Sequence, residues 1–326
     1  MRVMVTGAFG TLGRAVGAQL AGRGHRVCAF DVRTGANRKA ARRAGFPIRV
    51  FWGDVRDDEA ILDAVASSGS EAVIHLAAIL APASEKEPGL SRAVNVGGTR
   101  NVLEACGSCG ASLIYASSVT VHGPGRTDGP AVTAADPLRP IDGYSSHKAE
   151  CERMIAEAGS SRGLKWSVLR LGVSIDAAEA NATPEVLEAM FEISPETRME
   201  YLHPRDAAAA FANLLESDEA WGRVLLVAGG EACRIRQRDL FDAVFGAAGI
   251  GRLPDEAFGT EPYYTDWMDT AESQRLLSYQ RRSFEDFERE ARESLRATRP
   301  LVSIVRPLAR WWLLRHSGPW RASKGG

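Results

Sequence analysis

Tyr144 and Lys148 stand four residues apart in the polar stretch "DGYSSHKAE", residues 142–150. On a helix that spacing puts a phenol and an ammonium on one face. One reading is a solvated pair on an amphipathic helix. The other is a tuned proton donor. A free phenol titrates near about 10, and bringing it to about 7 takes roughly 4 kcal/mol in favour of the phenolate. A buried ammonium at close range supplies much of that. What the chain brings beside the pair decides between the readings.

A second constellation lies at the N-terminus. The stretch "TGAFGTLG" places Gly7, Gly10 and Gly13 at a spacing of three, with Phe9, Thr11 and Leu12 among them, just before a helical pattern. Glycines let backbone turn sharply and approach a ligand, and a helix N-terminus attracts a pyrophosphate. A plain strand-to-helix turn is the other reading. Asp31 ends the second predicted strand, where a dinucleotide fold places an acid for the ribose hydroxyls. A carboxylate there repels a 2′-phosphate and so favours NAD. Arg33 and Arg38 follow closely and leave NADP open. Asp54, followed by Val55, ends the third strand at the adenine mouth; it also reads as the N-cap of "RDDEAILDAV".

These residues need elements to hold them. Apolar, β-branched runs at 2–6, 26–31, 48–52, 72–77, 112–117 and 166–171 alternate with helical patterns such as "TLGRAVGAQLAGRG". Strands apolar on both faces and joined by helices pair in parallel. The expected fold class is α/β: a doubly wound parallel sheet (Rossmann-type) with a smaller C-terminal substrate lobe. The expected organisation is a dinucleotide-binding core at 1–173, a substrate-binding lobe at 174–298 interleaved with it, and a tail at 299–326. In the second half, "TPEVLEAMFEI", "PRDAAAAFANLLES" and "RQRDLFDAVFGAAG" read as helices, and "RMEYLH" and "RVLLVAG" as strands.

Bulk composition narrows the class. The 326 residues are 45% hydrophobic and 25% charged with net charge −1, which is ordinary globular composition with no field for nucleic acid. No apolar run of about 18 residues spans a membrane. The N-terminus runs straight into a strand without a signal-peptide series, so the cytoplasm is the expected location. Cys28, Cys106, Cys109, Cys151 and Cys233 show no disulfide framework, and the C-x-x-C at 106–109 reads as reduced structural thiols. His75 reads as a packing histidine, since no partner falls at metal-ligand spacing; no metal is expected. His203 and Asp206 read as strand end and helix cap.

"TGAFGTLG", "GDV", "HLAA", "NVGGTRNVLEAC", "SSVTVHG" and "YSSHK", in this order, resemble the extended short-chain dehydrogenase/reductase family, in its NAD-dependent epimerase/dehydratase branch. The resemblance runs from about 1 to 297, with Leu171 where a proline is usual. It implies bound NAD(P) and a catalytic set of Ser118, Tyr144 and Lys148 with Asn95 as helper, ordering water or the lysine. It implies that Tyr144 moves a proton at a substrate hydroxyl, that Ser118 bonds the same oxygen, and that Lys148 holds the nicotinamide ribose. Leu76, Ala77 and Ala78 join the cofactor wall. Thr120, His122 and Arg170 are candidates for substrate contact. Relatives often dimerise through the "NVGGT" and "YSSHK" helices, so a homodimer is expected.

Three reaction classes compete: a plain NAD(P)-dependent oxidoreductase on a small-molecule substrate, a sugar or nucleotide-sugar epimerase, and a non-catalytic NAD(P)-binding sensor. Intact Ser118, Tyr144 and Lys148 weaken the sensor. The family's sugar dehydratases carry Thr-Asp-Glu where Ser118-Val119-Thr120 stands here, so no acid is ready to expel water. The stretch 172–203 is short and acid-rich, with Arg198 its one arginine, and a diphosphate wants clustered cations. The oxidoreductase therefore comes first.

The tail fits none of this. After Glu293 there are no acids, while Arg299, Arg306, Arg310, Arg315, Arg321 and Lys324 alternate with Trp311, Trp312, Leu313, Leu314 and Trp320. It reads either as packed on the protein or across a dimer, or as a peripheral contact with an anionic membrane.

Overall fold

The computed structural model describes residues 1–126, 128–177, 184–261 and 263–324. Part of the acid-rich stretch weighed above, 178–183, including the first residue of "TPEVLEAMFEI", lies outside the described residues.

Seven parallel strands form one sheet: β1 (Arg2–Thr6), β2 (Arg26–Asp31), β3 (Ile48–Trp52), β4 (Ala72–His75), β5 (Ser112–Ser118), β6 (Trp166–Leu171) and β8 (Val224–Val227). Their spatial order is β3-β2-β1-β4-β5-β6-β8. The remaining strands, β7 (Arg198–Glu200) and β9 (Arg234–Arg236), pair antiparallel.

Period-two alternation explains why both faces are covered. Val3, Val5, Val27, Ala29, Ala72 and Ile74 point into one core, shared with the helices Thr11–Gly22 and Pro204–Leu215. Met4, Cys28, Phe30, Val73, Leu113 and Tyr115 point into the other, shared with Asp58–Ser68, Gly98–Cys109 and Gly143–Arg162. The sheet is thus a Rossmann-type α/β sheet wound on both sides.

The second half is woven into this sheet. "RVLLVAG" supplies β8, which pairs with β6 at the sheet edge, and Pro204–Leu215 packs on Thr11–Gly22. The rest of the segment builds a smaller body around Met199, Tyr201, Ile235, Leu240, Phe284 and Phe287. β4 stops at His75, two residues short of the expected strand, because Leu76 and Ala77 turn their N–H groups to the Thr6 hydroxyl, at 3.2 and 3.3 Å.

Candidate active site

The strand order reverses between β1 and β4. In open α/β sheets that switch opens a crevice outside the carboxyl ends of the strands. A cleft of about 890 Å³ lies there, lined by the ends of β1, β2, β4 and β5 and by the Gly143–Arg162 helix.

The glycine turn forms one wall, and its three glycines have different reasons. Gly7 has φ +64°, and a Cβ there would meet Ala77 backbone at 2.9 Å. At Gly13 a Cβ would lie 2.2 Å from the Gly7 carbonyl. At Gly10 φ is −67° and the nearest protein atom is 3.5 Å away, so neither backbone nor packing demands glycine. Its bareness leaves backbone accessible on the cleft side, and among the described residues no side chain caps the Thr11–Gly22 helix behind it. That is the arrangement a pyrophosphate completes.

Asp31 closes the next stretch of wall. Its carboxylate accepts from the N–H of Phe9 at 2.9 Å, from its neighbour Val32 at 2.8 Å and from Asn37 Nδ2 at 3.1 Å. Burial raises its pKa, and the Phe9 and Val32 N–H groups pull it back. Phe9 acts here through its backbone, because its ring is buried on Trp52 with centroids 5.4 Å apart. Arg33 and Arg38 are exposed and do not line the cleft, which leaves Asp31 as the charged group at this stretch of wall. Asp54 lines the cleft and grips Arg56, with Nη2 at 2.7 Å from Oδ2. It is not the helix cap: Asp57, three residues on, accepts the Ala60 N–H at 3.0 Å. Val55, Leu76, Ala77 and Ala78 also line the cleft.

Ser118, Tyr144 and Lys148 come together on the opposite wall. Asp142 caps the Gly143–Arg162 helix by accepting the Ser145 N–H at 2.6 Å, which sets the start of the helix and so the direction of Tyr144 in its first turn. Lys148 Nζ donates to the Ala116 carbonyl at 2.6 Å and sits 5.6 Å from the Tyr144 ring centroid. Ser118 Oγ accepts from Thr120 Oγ1 at 3.0 Å.

The electrostatics differ from the simple expectation. Burial pushes the Tyr144 phenol upward, with the Ser118 hydroxyl acting in the opposite direction. Burial also lowers Lys148 to about 8. The ammonium is itself desolvated and committed to a carbonyl, so by itself it does not bring the phenol down. A lysine with a lowered folded pKa destabilises the fold while it is charged, and this cost fades as pH rises from about 8 towards the ordinary value of 10.5. Lys148→Met is therefore expected to stabilise the fold at pH 7, by roughly 1–3 kcal/mol, while abolishing turnover. The gain should shrink at alkaline pH; urea unfolding at several pH values checks it.

Asn95 lies in a π-helical turn, Ala93–Gly97, with its amide donating to the Ile79 carbonyl at 2.9 Å and accepting the Ile79 N–H at 2.7 Å. It fixes the cleft-lining loop at Ile79. The three substrate candidates lie off this cleft wall. Arg170 is buried on the far side of β6, where it holds Glu152 with Nη2 at 2.7 Å from Oε2. His122 meets Arg170 at 3.2 Å, and burial and that guanidinium lower its pKa to about 4. Thr120 is buried and spends its hydroxyl on Ser118. Alternation along β6 explains Arg170: Leu171 faces the cleft, so its neighbour cannot.

His75, His203 and Asp206 spend their polar atoms on neighbouring elements. His75 bridges Thr6 at 2.6 Å and Thr99 at 3.1 Å, and burial lowers its pKa to about 3. His203 caps its helix by accepting the Arg205 N–H at 3.0 Å. Asp206 instead binds the N–H groups of Arg281 and Arg282, at 2.8 and 2.9 Å. Among the described residues no cluster of three potential metal ligands occurs. Sequence reasoning missed Asn37, Arg56, Leu80, Leu90, Ser174 and Ile175 on the cleft wall. Asn37 alone had a usable signal, an amide six residues after Asp31 that bonds its carboxylate.

The model of the NAD dependent epimerase/dehydratase family matches residues 3–228. The chain is 29% identical over 242 residues to D-erythronate dehydrogenase of Cupriavidus necator, covering 66% of this chain and 72% of that protein. It is 28% identical over 203 residues to UDP-glucose 4-epimerase of Lactobacillus helveticus, covering 58% and 60%. Against human 3 beta-hydroxysteroid dehydrogenase type 7 the identity is 32%, over 47% of this chain and 42% of the relative, so the chain spans about half the length of several curated relatives. Among solved structures, the UDP-glucose 4-epimerase of Thermus thermophilus in complex with NAD superposes with TM-score 0.75 at 25% identity, over 91% of this chain and 99% of that one. With the glycine turn, Asp31 and the Ser-Tyr-Lys wall in one crevice, and the family match across more than two thirds of its length, the chain belongs to the NAD-dependent epimerase/dehydratase family.

Proposed function

We propose that this enzyme is an NAD-dependent oxidoreductase acting at a hydroxyl or carbonyl carbon of a small, weakly charged substrate, with Tyr144 as general acid/base. One observation carries the choice of substrate: among the described residues lining the cleft, the cations are Arg56 and Lys148. Arg56 is held by Asp54 and Lys148 by the Ala116 carbonyl, so no clustered cation awaits a substrate diphosphate. Ile79, Leu80, Leu90 and Val94 line the same cleft and favour an apolar body.

Gly7, Gly10 and Gly13 would cradle the pyrophosphate, Asp31 the adenosine ribose, and Lys148 and Tyr144 the nicotinamide end. NAD, when bound, supplies the hydride acceptor. Ser118 orients the substrate oxygen, and Tyr144 takes or returns its proton. Dehydration lacks its acid, since Val119 and Thr120, neither of them an acid, follow Ser118.

The test is absorbance at 340 nm with a panel of alcohols and ketones. Net NADH formation or consumption supports the proposal. Turnover of a sugar nucleotide without net change in NADH would favour the second reading, epimerisation, which the likeness to UDP-glucose 4-epimerases motivates. Binding of NAD with no turnover on either panel would leave a sensor.

Cofactor choice is tested at Asp31. Asp31→Ser is expected to weaken NAD by about ten- to a hundredfold, from loss of a charged hydrogen-bond partner, and to narrow the preference over NADP. Quenching of tryptophan fluorescence on titration reads it directly.

Assembly and location belong to the same proposal. The outer faces of Gly98–Cys109 and Gly143–Arg162 expose Arg100, Glu104, Arg153 and Glu157, which would make a homodimer interface polar and charge-paired. Five free cysteines suit the reducing cytoplasm.

A further inference from the structure

The basic tail has two faces, and one is already used. It forms the helices Arg299–Ile304, Arg306–Arg315 and Gly318–Lys324. Leu313 is buried among Phe191, Phe241, Phe245 and Phe258. Ser317 Oγ donates to the Ala257 carbonyl at 2.6 Å, and Arg310 Nη1 to the Arg252 carbonyl at 2.6 Å. The tail is thus docked on the smaller body of the protein.

The other face is open. Leu301 is 68% exposed, Ile304 78%, Leu308 66% and Trp311 55%, with Val305 and Trp312 exposed beside them. Leu301 and Ile304 on the first helix, and Leu308, Trp311 and Trp312 on the second, recur at spacings of three and four, so each helix carries an exposed apolar stripe, with Val305 at the join. Side chains of this size left in water mark a contact surface. Arg299, Arg306, Arg315, Arg321 and Lys324 are exposed around them, and 299–326 contains no acid.

We propose that this face is a docking surface for an anionic lipid bilayer, with the leucines and tryptophans in the interface and the arginines among the headgroups. A second copy of the chain fits less well, because apposing two such faces would bring together two sets of cations with no acid in either tail. Among the described residues no helix is long and apolar enough to cross a membrane, so the contact is peripheral. The proposal is independent of the reaction the cleft performs.

The test is co-sedimentation of the full chain with vesicles of phosphatidylcholine alone or mixed with phosphatidylglycerol. Binding to the anionic vesicles is expected to be at least about tenfold tighter than to neutral ones, and to weaken at about 0.5 M salt. The variant Leu301→Glu/Leu308→Glu/Trp311→Glu changes exposed positions only. It is expected to unfold at the same temperature, to bind NAD as before and to lose the vesicle contact. Failure of the folded protein to sediment with anionic vesicles, or retention of binding in the variant, overturns the proposal. Self-association without vesicle binding, abolished by the same variant in sedimentation velocity, also overturns it and assigns the face to a second copy.

Discussion

Tyr144→Phe is expected to lower turnover by about a hundred- to ten-thousandfold, the contribution of a positioned general acid/base, while NAD affinity is largely kept. The substitution removes one oxygen. It leaves the ring beside Lys148 and leaves the glycine turn and Asp31, on the other wall, untouched. The pH dependence has a definite sign. Oxidation of an alcohol needs the phenolate, and burial pushes the phenol upward, so the oxidation rate should climb from neutral towards alkaline pH. Carbonyl reduction needs the protonated phenol, so its rate should hold at neutral pH and fall as the phenol ionises. Tyr144→Phe should erase both limbs. Rates at 340 nm across pH, with fluorescence titration of NAD alongside, separate this from a binding defect. A variant that keeps within about tenfold of the parent rate would remove Tyr144 from the chemistry.

Much of this site was legible because it depends on spacing that physics makes strict. Gly7, Gly10 and Gly13 are read from their period, and the structure gives each its reason: a left-handed backbone, an open approach and a steric limit. Alternation in β1 and β2 predicts a sheet covered on both faces, as Val3 and Met4 show by entering different cores. Other features depend on choices between near-equivalent neighbours. Asp54 and Asp57 both precede a helix, and only the partner of Asp54, Arg56, leaves the capping to Asp57. The four-residue run "VLLV" reads the same in a lobe as at the edge of the main sheet; its pairing with β6 is a long-range fact. Charge alone argues for a depressed phenol. Desolvation acts on both members of the pair, and it opposes the charged form of each.

Arg170→Met is expected to cost about 3–5 kcal/mol of stability, because it strands a buried carboxylate. Arg170 reaches both oxygens of Glu152 through Nε, at 3.0 and 3.2 Å, and donates to the Ala134 carbonyl at 3.1 Å. Glu152 also accepts from the Ser117 hydroxyl. Its helix carries Lys148 one turn earlier, and Ser117 adjoins Ser118. The ion pair therefore ties β6, the end of β5 and the Gly143–Arg162 helix together behind the cleft, without touching it. Arg170→Met/Glu152→Leu removes both charges and should recover most of the loss, since an apolar pair of similar volume replaces a buried ion pair at little net cost. Denaturant midpoints of the two variants and the parent decide the matter, and equal midpoints for the single and double variants would refute the brace. Turnover gives the functional half of the same argument. The single variant should lose activity by less than Tyr144→Phe, because Ser118 would be misplaced and the proton donor retained.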